Sequence, residues 1–247
     1  METAPVGIVT GGVGGIGAAC AVELGRLGAR LVLADRALDG GEELVRRVEE
    51  AGGEALLEEL DVRDAAAQER VAQVALDRFG RIDFLLALAG IADQSTVAGG
   101  DPEHWRAVVE TNVLGLLYAC RAVAPAMQRQ GSGHILIMAS VSGRDPYVGE
   151  PVYIASKWAQ VGFAHSIRLE LQPAGIRVTL VEPGLVDTPL TRGNPNLRPL
   201  LDAIEPLTAE DVAQAVVYAF SQPPHVAVSE VVVRPQRQQL SRVPAES

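Results

Sequence analysis

Tyr153 and Lys157 stand four residues apart at the start of a segment with helical period, so the phenol and the ammonium share one helix face. A free tyrosine loses its proton near pH 10 and is a poor base at neutral pH until a nearby cation favours the phenolate. Lys157 can supply that bias, which makes the pair a candidate acid/base unit for taking or giving a hydroxyl proton. Ser140 ends a run that reads as a strand, at the edge where open α/β sheets bind ligands, and its hydroxyl can bond a substrate oxygen. Asn112 lies inside a helical pattern, where its modest helix propensity suggests a local or water-mediated role. Each of these residues has an ordinary structural explanation by itself; their joint placement carries the chemistry.

A second group of residues suits a phosphate-bearing cofactor. Thr10, Gly11, Gly12, Val13, Gly14, Gly15, Ile16 and Gly17 follow a strand-like run and open a helical one. Such a turn lets the backbone approach a pyrophosphate while the helix N-terminus supplies unpaired N–H groups. Asp35 closes the next strand-like run, at the distance where a carboxylate accepts hydrogen bonds from an adenosine ribose 2′-hydroxyl and repels a 2′-phosphate. That favours NAD over NADP. Arg36 follows directly and can approach a 2′-phosphate, and Asp35 also suits a plain strand-end or capping charge, so both alternatives stay open.

These residues need elements to position them. Short aliphatic runs at 6–10, 30–35, 55–60, 82–88, 134–140, 176–182 and 228–234 alternate with helical patterns near 15–28, 39–52, 64–79, 102–130, 151–173 and 208–221. The alternation predicts an α/β fold, one doubly wound (Rossmann-type) seven-stranded parallel sheet with helices on both faces. Residues 1–247 are read as a single dinucleotide-binding and catalytic domain. The stretch 184–206, rich in Pro, Gly, Asn and Thr, is expected to be an irregular substrate loop, and 237–247 a loose tail.

Composition narrows the partners. A formal net charge of -10 repels phosphate backbones and anionic lipid, so neither nucleic acid nor membrane is expected. No apolar stretch reads as a membrane span, and no basic leader precedes the first strand. Cys20 and Cys120 lie in separate helical patterns, which argues for two buried thiols in a reducing compartment and a cytoplasmic protein. The four histidines, His104, His134, His165 and His225, lack ligand spacing, so no metal site is expected.

The chain resembles the short-chain dehydrogenases/reductases in their compact single-domain form. The resemblance runs from Thr10 to Arg234 through the glycine loop, Asp61-Val62, Ala89-Gly90, Asn112, Ser140, Tyr153 and Lys157, and Pro183-Gly184-Leu185-Val186-Asp187-Thr188. It implies that Tyr153 is the general acid/base and that Lys157 lowers its pKa and binds the nicotinamide ribose. It further implies that Ser140 orients the carbonyl and that Asn112 positions a water leading to Lys157. Asp61 and Val62 would meet the adenine, and Val186 and Thr188 the nicotinamide end. A homotetramer or homodimer is implied as well, with apolar residues such as Leu114, Leu117, Phe163 and Leu169 available to a partner subunit.

Two departures from the family pattern matter. Where the family writes Asn-Asn-Ala-Gly, this chain has Ala87-Leu88-Ala89-Gly90, so apolar packing must replace polar braces in the central sheet. The ending Glu230-Val231-Val232-Val233-Arg234-Pro235 differs from the Val-Asp-Gly-Gly type common in ketoreductases of fatty-acid synthesis. It looks more like the branch with serine and 3-hydroxy acid dehydrogenases, whose members generally prefer NADP. The reading is an NAD-dependent oxidoreductase acting on a small or medium polar secondary alcohol or its ketone, a small-molecule substrate. Ser142, Tyr147, Leu185 and Leu190 are candidate substrate contacts, Tyr147 equally a packing residue. A 3-oxoacyl-thioester (acyl carrier protein) reductase is the alternative within the enzymes, and a non-catalytic dinucleotide-sensing regulator the alternative outside them. Retention of Asn112, Ser140, Tyr153 and Lys157 favours the enzyme, because a sensor needs the glycine loop but not the phenol–ammonium pair.

Overall fold

A computed structural model describes residues 4–194 and 197–238. Most of the expected tail, 239–247, lies outside the described residues. The strands β1 (Val6–Thr10), β2 (Arg30–Asp35), β3 (Glu54–Glu59), β4 (Phe84–Ala87), β5 (Gly133–Met138), β6 (Ile176–Pro183) and β7 (Glu230–Val233) form one sheet. Its order is β3-β2-β1-β4-β5-β6-β7, and every pairing is parallel. The order reverses between β1 and β4, and a ligand crevice opens at such a switch point beyond the carboxyl ends of the strands.

Alternation along the strands explains the two layers of helix. Ile8 and Val32 face a core shared with α3 (Ala65–Phe79), α5 (Gly115–Gln130) and α6 (Pro151–Leu171). Their neighbours Val9 and Leu33 face the opposite core, built with α1 (Gly15–Arg26), α2 (Gly41–Glu50) and α9 (Ala209–Phe220). Strands covered on both faces read as continuous apolar runs, as these do. Leu88 and Ala89, which stand where the family has polar residues, pack against the second and first of these cores respectively.

The helix expected over 102–130 is not uniform. It comprises α4 (Pro102–Val109), a π turn (Glu110–Leu114) and α5, with the Gly115 N–H donating to the Glu110 carbonyl five residues back. By length and hydropathy the run Pro102–Gln130 is sufficient to cross a bilayer, contrary to the expectation that no stretch would be. Here Leu116, Ala119, Val123 and Met127 are buried in the core against the sheet. The segment 184–206 also departs from an irregular loop, since it folds into α7 (Pro189–Arg192) and α8 (Arg198–Ala203). Thr188 and Thr191 close a reciprocal capping box at the first of these, a local signal hidden by the surrounding Pro and Gly.

Candidate active site

At the β1–α1 turn the chain reverses through Gly11, whose φ of 70° disfavours any side chain and whose position leaves no room for one: a Cβ would meet the Ala89 nitrogen at 2.9 Å. At Gly14 an added Cβ would meet nothing closer than 3.7 Å, and Gly15 is likewise open to within 3.5 Å. Among the described residues no side chain caps the α1 N-terminus. Exposed backbone beside uncapped N–H groups of a twelve-residue helix fits a pyrophosphate.

This turn forms one wall of a cleft of about 360 Å³. Gly11, Gly14, Gly15, Ile16 and Gly17 line it, with Asp35, Arg36, Asp61, Val62, Ala89, Gly90, Thr188 and Leu190 around them. Asp35 sits at the end of β2, where its Oδ2 accepts the Val13 N–H at 3.1 Å and its Oδ1 the Arg36 N–H at 2.8 Å. Its carboxylate therefore braces the glycine loop and faces the same cleft. Arg63 also lines the cleft and grips Asp61 at 2.9 Å, holding that carboxyl near pKa 2, well below its usual range.

Thr10, Pro183, Leu185 and Val186 are buried and support the wall from behind. The Leu207 N–H donates to the Leu185 carbonyl and the Asp187 N–H to the Leu207 carbonyl, while Val186 bridges to Leu207. The Gly184 N–H donates to the Val233 carbonyl at 2.7 Å, and the Leu185 N–H to Gln238 Oε1 at 2.8 Å. Leu185 is thus a supporting residue, whereas Leu190, 47 % exposed, reaches the cleft.

Ser140 lies two residues beyond β5 and caps a short 3₁₀ turn (Val141–Gly143) by accepting the Ser142 N–H at 3.1 Å. Its hydroxyl donates to Ser142 Oγ at 3.0 Å, and Ser140 is the polar neighbour that acts to lower the Tyr153 pKa. Ser142 Oγ donates to the Tyr147 hydroxyl at 3.3 Å, which donates to Glu150 Oε2 at 2.8 Å. Glu150 is buried, and its other oxygen accepts from Asn194 Nδ2. Burial pushes the Glu150 carboxyl above its usual pKa, with the Asp93 charge adding to the effect. Burial and the Glu150 charge likewise raise Tyr147, so its phenol stays neutral. The segment carrying these groups is pinned to the sheet edge: Arg144 donates to Glu182 Oε2 at 2.7 Å and bonds Glu230, and Arg234 bonds Asp145 at 2.6 Å.

Tyr153 and Lys157 fall one turn apart on α6, with Nζ 5.6 Å from the phenol ring centroid. Burial raises Tyr153 to a pKa of about 12, an effect opposed by the Ser140 hydrogen bond, and lowers Lys157 to about 7. Lys157 donates to the Met138 carbonyl at 3.0 Å and to Gln160 Oε1 at 3.0 Å. Gln160 Nε2 in turn donates to the Asn112 carbonyl at 2.7 Å. The Asn112 side chain bonds both main-chain groups of Ile91 and Ser156 Oγ. Asn112 and Lys157 are therefore joined through the Gln160 amide. Gln160, Asn194 and Asp93 escaped the sequence reading. A glutamine three residues past Lys157 is the only one of them with a local signal, and in a helix that spacing looks like ordinary surface pairing.

Comparison with known proteins agrees with this geometry. The family model described as short chain dehydrogenase matches residues 5–197. An uncharacterized oxidoreductase of Staphylococcus saprophyticus is 37% identical over 233 residues, covering 93% of this chain and 97% of that one. The structure is similar to an alcohol dehydrogenase from the archaeon Thermococcus sibiricus complexed with 5-hydroxy-NADP, at TM-score 0.87 and 26% identity, covering 97% of this chain and 100% of the other. A metagenomic short-chain oxidoreductase in complex with NADP gives TM-score 0.81 and 33% identity, covering 95% and 98%.

Proposed function

The chain belongs to the short-chain dehydrogenase family of oxidoreductases, and from that footing we propose that it moves hydride between NAD and a small or medium polar secondary alcohol or the matching ketone, with Tyr153 as general acid/base. The observation that carries this reading is the convergence of Tyr153, Ser140 and Lys157 at the carboxyl ends of β5 and α6's first turns, beside a cleft whose glycine wall fits a dinucleotide. The dinucleotide supplies the hydride acceptor or donor and, when oxidised, a positive charge. Everything else falls to the protein. Ser140 holds the Tyr153 hydroxyl in place and, with it, marks the position of the substrate oxygen. Tyr153 takes the alcohol proton during oxidation and returns one to the ketone oxygen during reduction. An unaided phenol with a pKa of about 12 is a weak acid at neutral pH, so the ammonium of Lys157 and the cofactor's charge are needed to bring it into range.

Asp35 supports NAD, since its carboxylate faces the adenosine end of the cleft and repels a 2′-phosphate. Arg36 and Arg63 line the same end, and two similar structures carry NADP-type cofactors, which favours NADP as the second reading. Fluorescence titration with NADH and NADPH, followed by a screen of polar secondary alcohols, tests both. Tighter NADH binding with turnover is expected. Preferential NADPH binding overturns the cofactor choice, turnover of sterols or long acyl chains alone overturns the substrate class, and binding without turnover overturns the enzyme reading.

We further propose a cytoplasmic homotetramer or homodimer with no nucleic-acid or membrane partner. The charge of -10 supports the latter, and the exposed Val109, Leu114, Trp158 and Leu169 on α4 to α6 support the former. A monomer by light scattering overturns it.

A further inference from the structure

We propose that Gln160 is a positioning residue for this chemistry: its amide, locked by the Asn112 carbonyl, keeps the side chain of Lys157 charged and in place beside the Tyr153 ring. The inference rests on Tyr153 being the general acid/base.

Lys157 is the only lysine in the chain; all the permanent cations are arginines. An arginine stays charged in any surroundings, whereas a buried lysine responds to its neighbours. Lys157 is 5 % exposed and forms no ion pair with any described carboxylate, and burial alone sets its pKa near 7. A group so placed is close to half charged at neutral pH, so the acceptors that favour the ammonium decide how much of it is present. Among the described residues there are two, the Met138 carbonyl at 3.0 Å and Gln160 Oε1 at 3.0 Å. The first belongs to the main chain at the end of β5, which leaves Gln160 as the one side chain that holds the ammonium.

The amide can face only one way. A carbonyl has no proton to give, so Gln160 Nε2 must be the atom that meets the Asn112 carbonyl, at 2.7 Å, and Oε1 the atom that meets Nζ. Gln160 is 3 % exposed, which keeps bulk water from competing for either end. A main-chain atom of the π turn thus sets the orientation of the lysine's acceptor.

No other charge takes over this task. Of the titratable groups on the elements packed against α6, Glu182 of β6 is bonded by Arg144, and Arg177 of β6 donates to the Phe220, Gln222 and Val226 carbonyls. Glu103, His104 and Arg106 of α4 are exposed, and Glu110 in the π turn is half-buried. None of them shifts Lys157. The titratable group the ammonium faces is Tyr153 on its own helix, with Nζ 5.6 Å from the ring centroid. Removing the Gln160 acceptor therefore lets the lysine lose its proton at lower pH, and with it goes the bias towards the phenolate.

Gln160→Met keeps length and packing and removes both bonds, whereas Gln160→Glu keeps an acceptor for Nζ and adds a charge. Because the chain has one lysine, isotope-labelled lysine gives a single set of side-chain NMR signals whose titration reads Lys157 directly. In Gln160→Met its midpoint is expected about one pH unit lower, the effect of losing one hydrogen bond to a charged group. In Gln160→Glu it should lie about one pH unit higher, as an opposite charge at bonding distance dictates. The limb on which kcat/KM for oxidation of a polar secondary alcohol falls with rising pH should move in the same two directions. Midpoints unmoved in both variants, or moved with the same sign, would mean that Gln160 only fills space and would overturn the inference. So would a moved NMR midpoint beside an unmoved kinetic limb, since the charge would then have no part in turnover. Tyr153→Phe separates this from the reading beneath: persistent turnover there removes the Tyr153 role itself, whereas an inactive Tyr153→Phe beside unmoved Lys157 midpoints removes the role of Gln160 alone.

Discussion

The Asn112 side chain closes a two-point bond on the main chain of Ile91, with Nδ2 donating to the Ile91 carbonyl at 2.9 Å and Oδ1 accepting its N–H at 2.8 Å. This joins the π turn between α4 and α5 to the segment that leaves β4, and it fixes the height of Gly90 over the cofactor cleft. A Cβ on Gly90 would lie 3.2 Å from Asn112 Oδ1. Asn112→Ala strands two main-chain groups and takes one bond from the Ser156 hydroxyl, which still donates to the Tyr153 carbonyl. The expected cost is about 2–4 kcal/mol in a urea unfolding series, since each buried group left unpaired costs about 1–3 kcal/mol and local relaxation recovers part of it. A loss under about 0.5 kcal/mol would show that the bond is replaced by solvent.

Tyr153→Phe keeps the ring and its packing and removes the titrating oxygen. Turnover is expected to fall by a factor of about 10² to 10⁴, the range for a positioned acid/base group, while NADH binding persists. Stopped turnover with intact fluorescence enhancement is the result to look for; lost binding would place Tyr153 in cofactor affinity instead of proton transfer.

Asp35→Asn preserves shape and the contact with the Val13 N–H while removing the charge that faces the adenosine end. Relieving repulsion of about 1–2 kcal/mol should improve NADPH affinity roughly tenfold relative to NADH. An unchanged ratio in paired titrations would transfer selectivity to Arg36 and Arg63.

His134 makes folding sensitive to acid. Its Nε2 bonds Thr179 Oγ1 at 2.8 Å, Thr179 donates onward to the Val228 carbonyl, and Nδ1 has no partner among the described residues. Burial, with Arg177 nearby, depresses its pKa from 6.5 to about 3. Above pH 6.5 both folded and unfolded chains carry the neutral ring and this group costs nothing. As pH falls from 6.5 towards 3, the unfolded chain binds a proton the folded one refuses, so stability drops by about 1.4 kcal/mol per pH unit. Urea midpoints for the wild type and for His134→Leu at pH 7.5 and 5 should diverge in slope; parallel lines would mean that the ring is protonated in the fold.

The hydroxyl chain from Ser140 to Glu150 and the cofactor wall differ in how far they could be read from the residues. The glycine loop and the Tyr153–Lys157 pair are local: five or eight consecutive residues suffice to turn a strand into a helix, or to set two side chains one helical turn apart. The strand positions were legible for the same reason, because β-branched and aliphatic runs buried on both faces need no partner to be recognised. Their ends were less so. Ser140 was expected to end a strand, and it caps a 3₁₀ turn two residues beyond β5.

What determined the rest was contact between segments far apart in the chain. The Arg144 guanidinium meets Glu182 and Glu230 only because β6 and β7 bring those carboxylates to the same edge. Asn194 reaches Glu150 across 44 residues, and Gln160 reaches the Asn112 carbonyl across 48. The π turn at Asn112 has no signature in helical periodicity, which the run 102–130 satisfies throughout. The sequence by itself determined the α/β layering, the glycine turn and the phenol–ammonium pair, since each is set by neighbours within one element. Only the tertiary structure decided that Ser140 faces a hydroxyl chain and that Lys157 is held by an amide, because a hydrogen bond depends on distances that folding, and not spacing along the chain, creates.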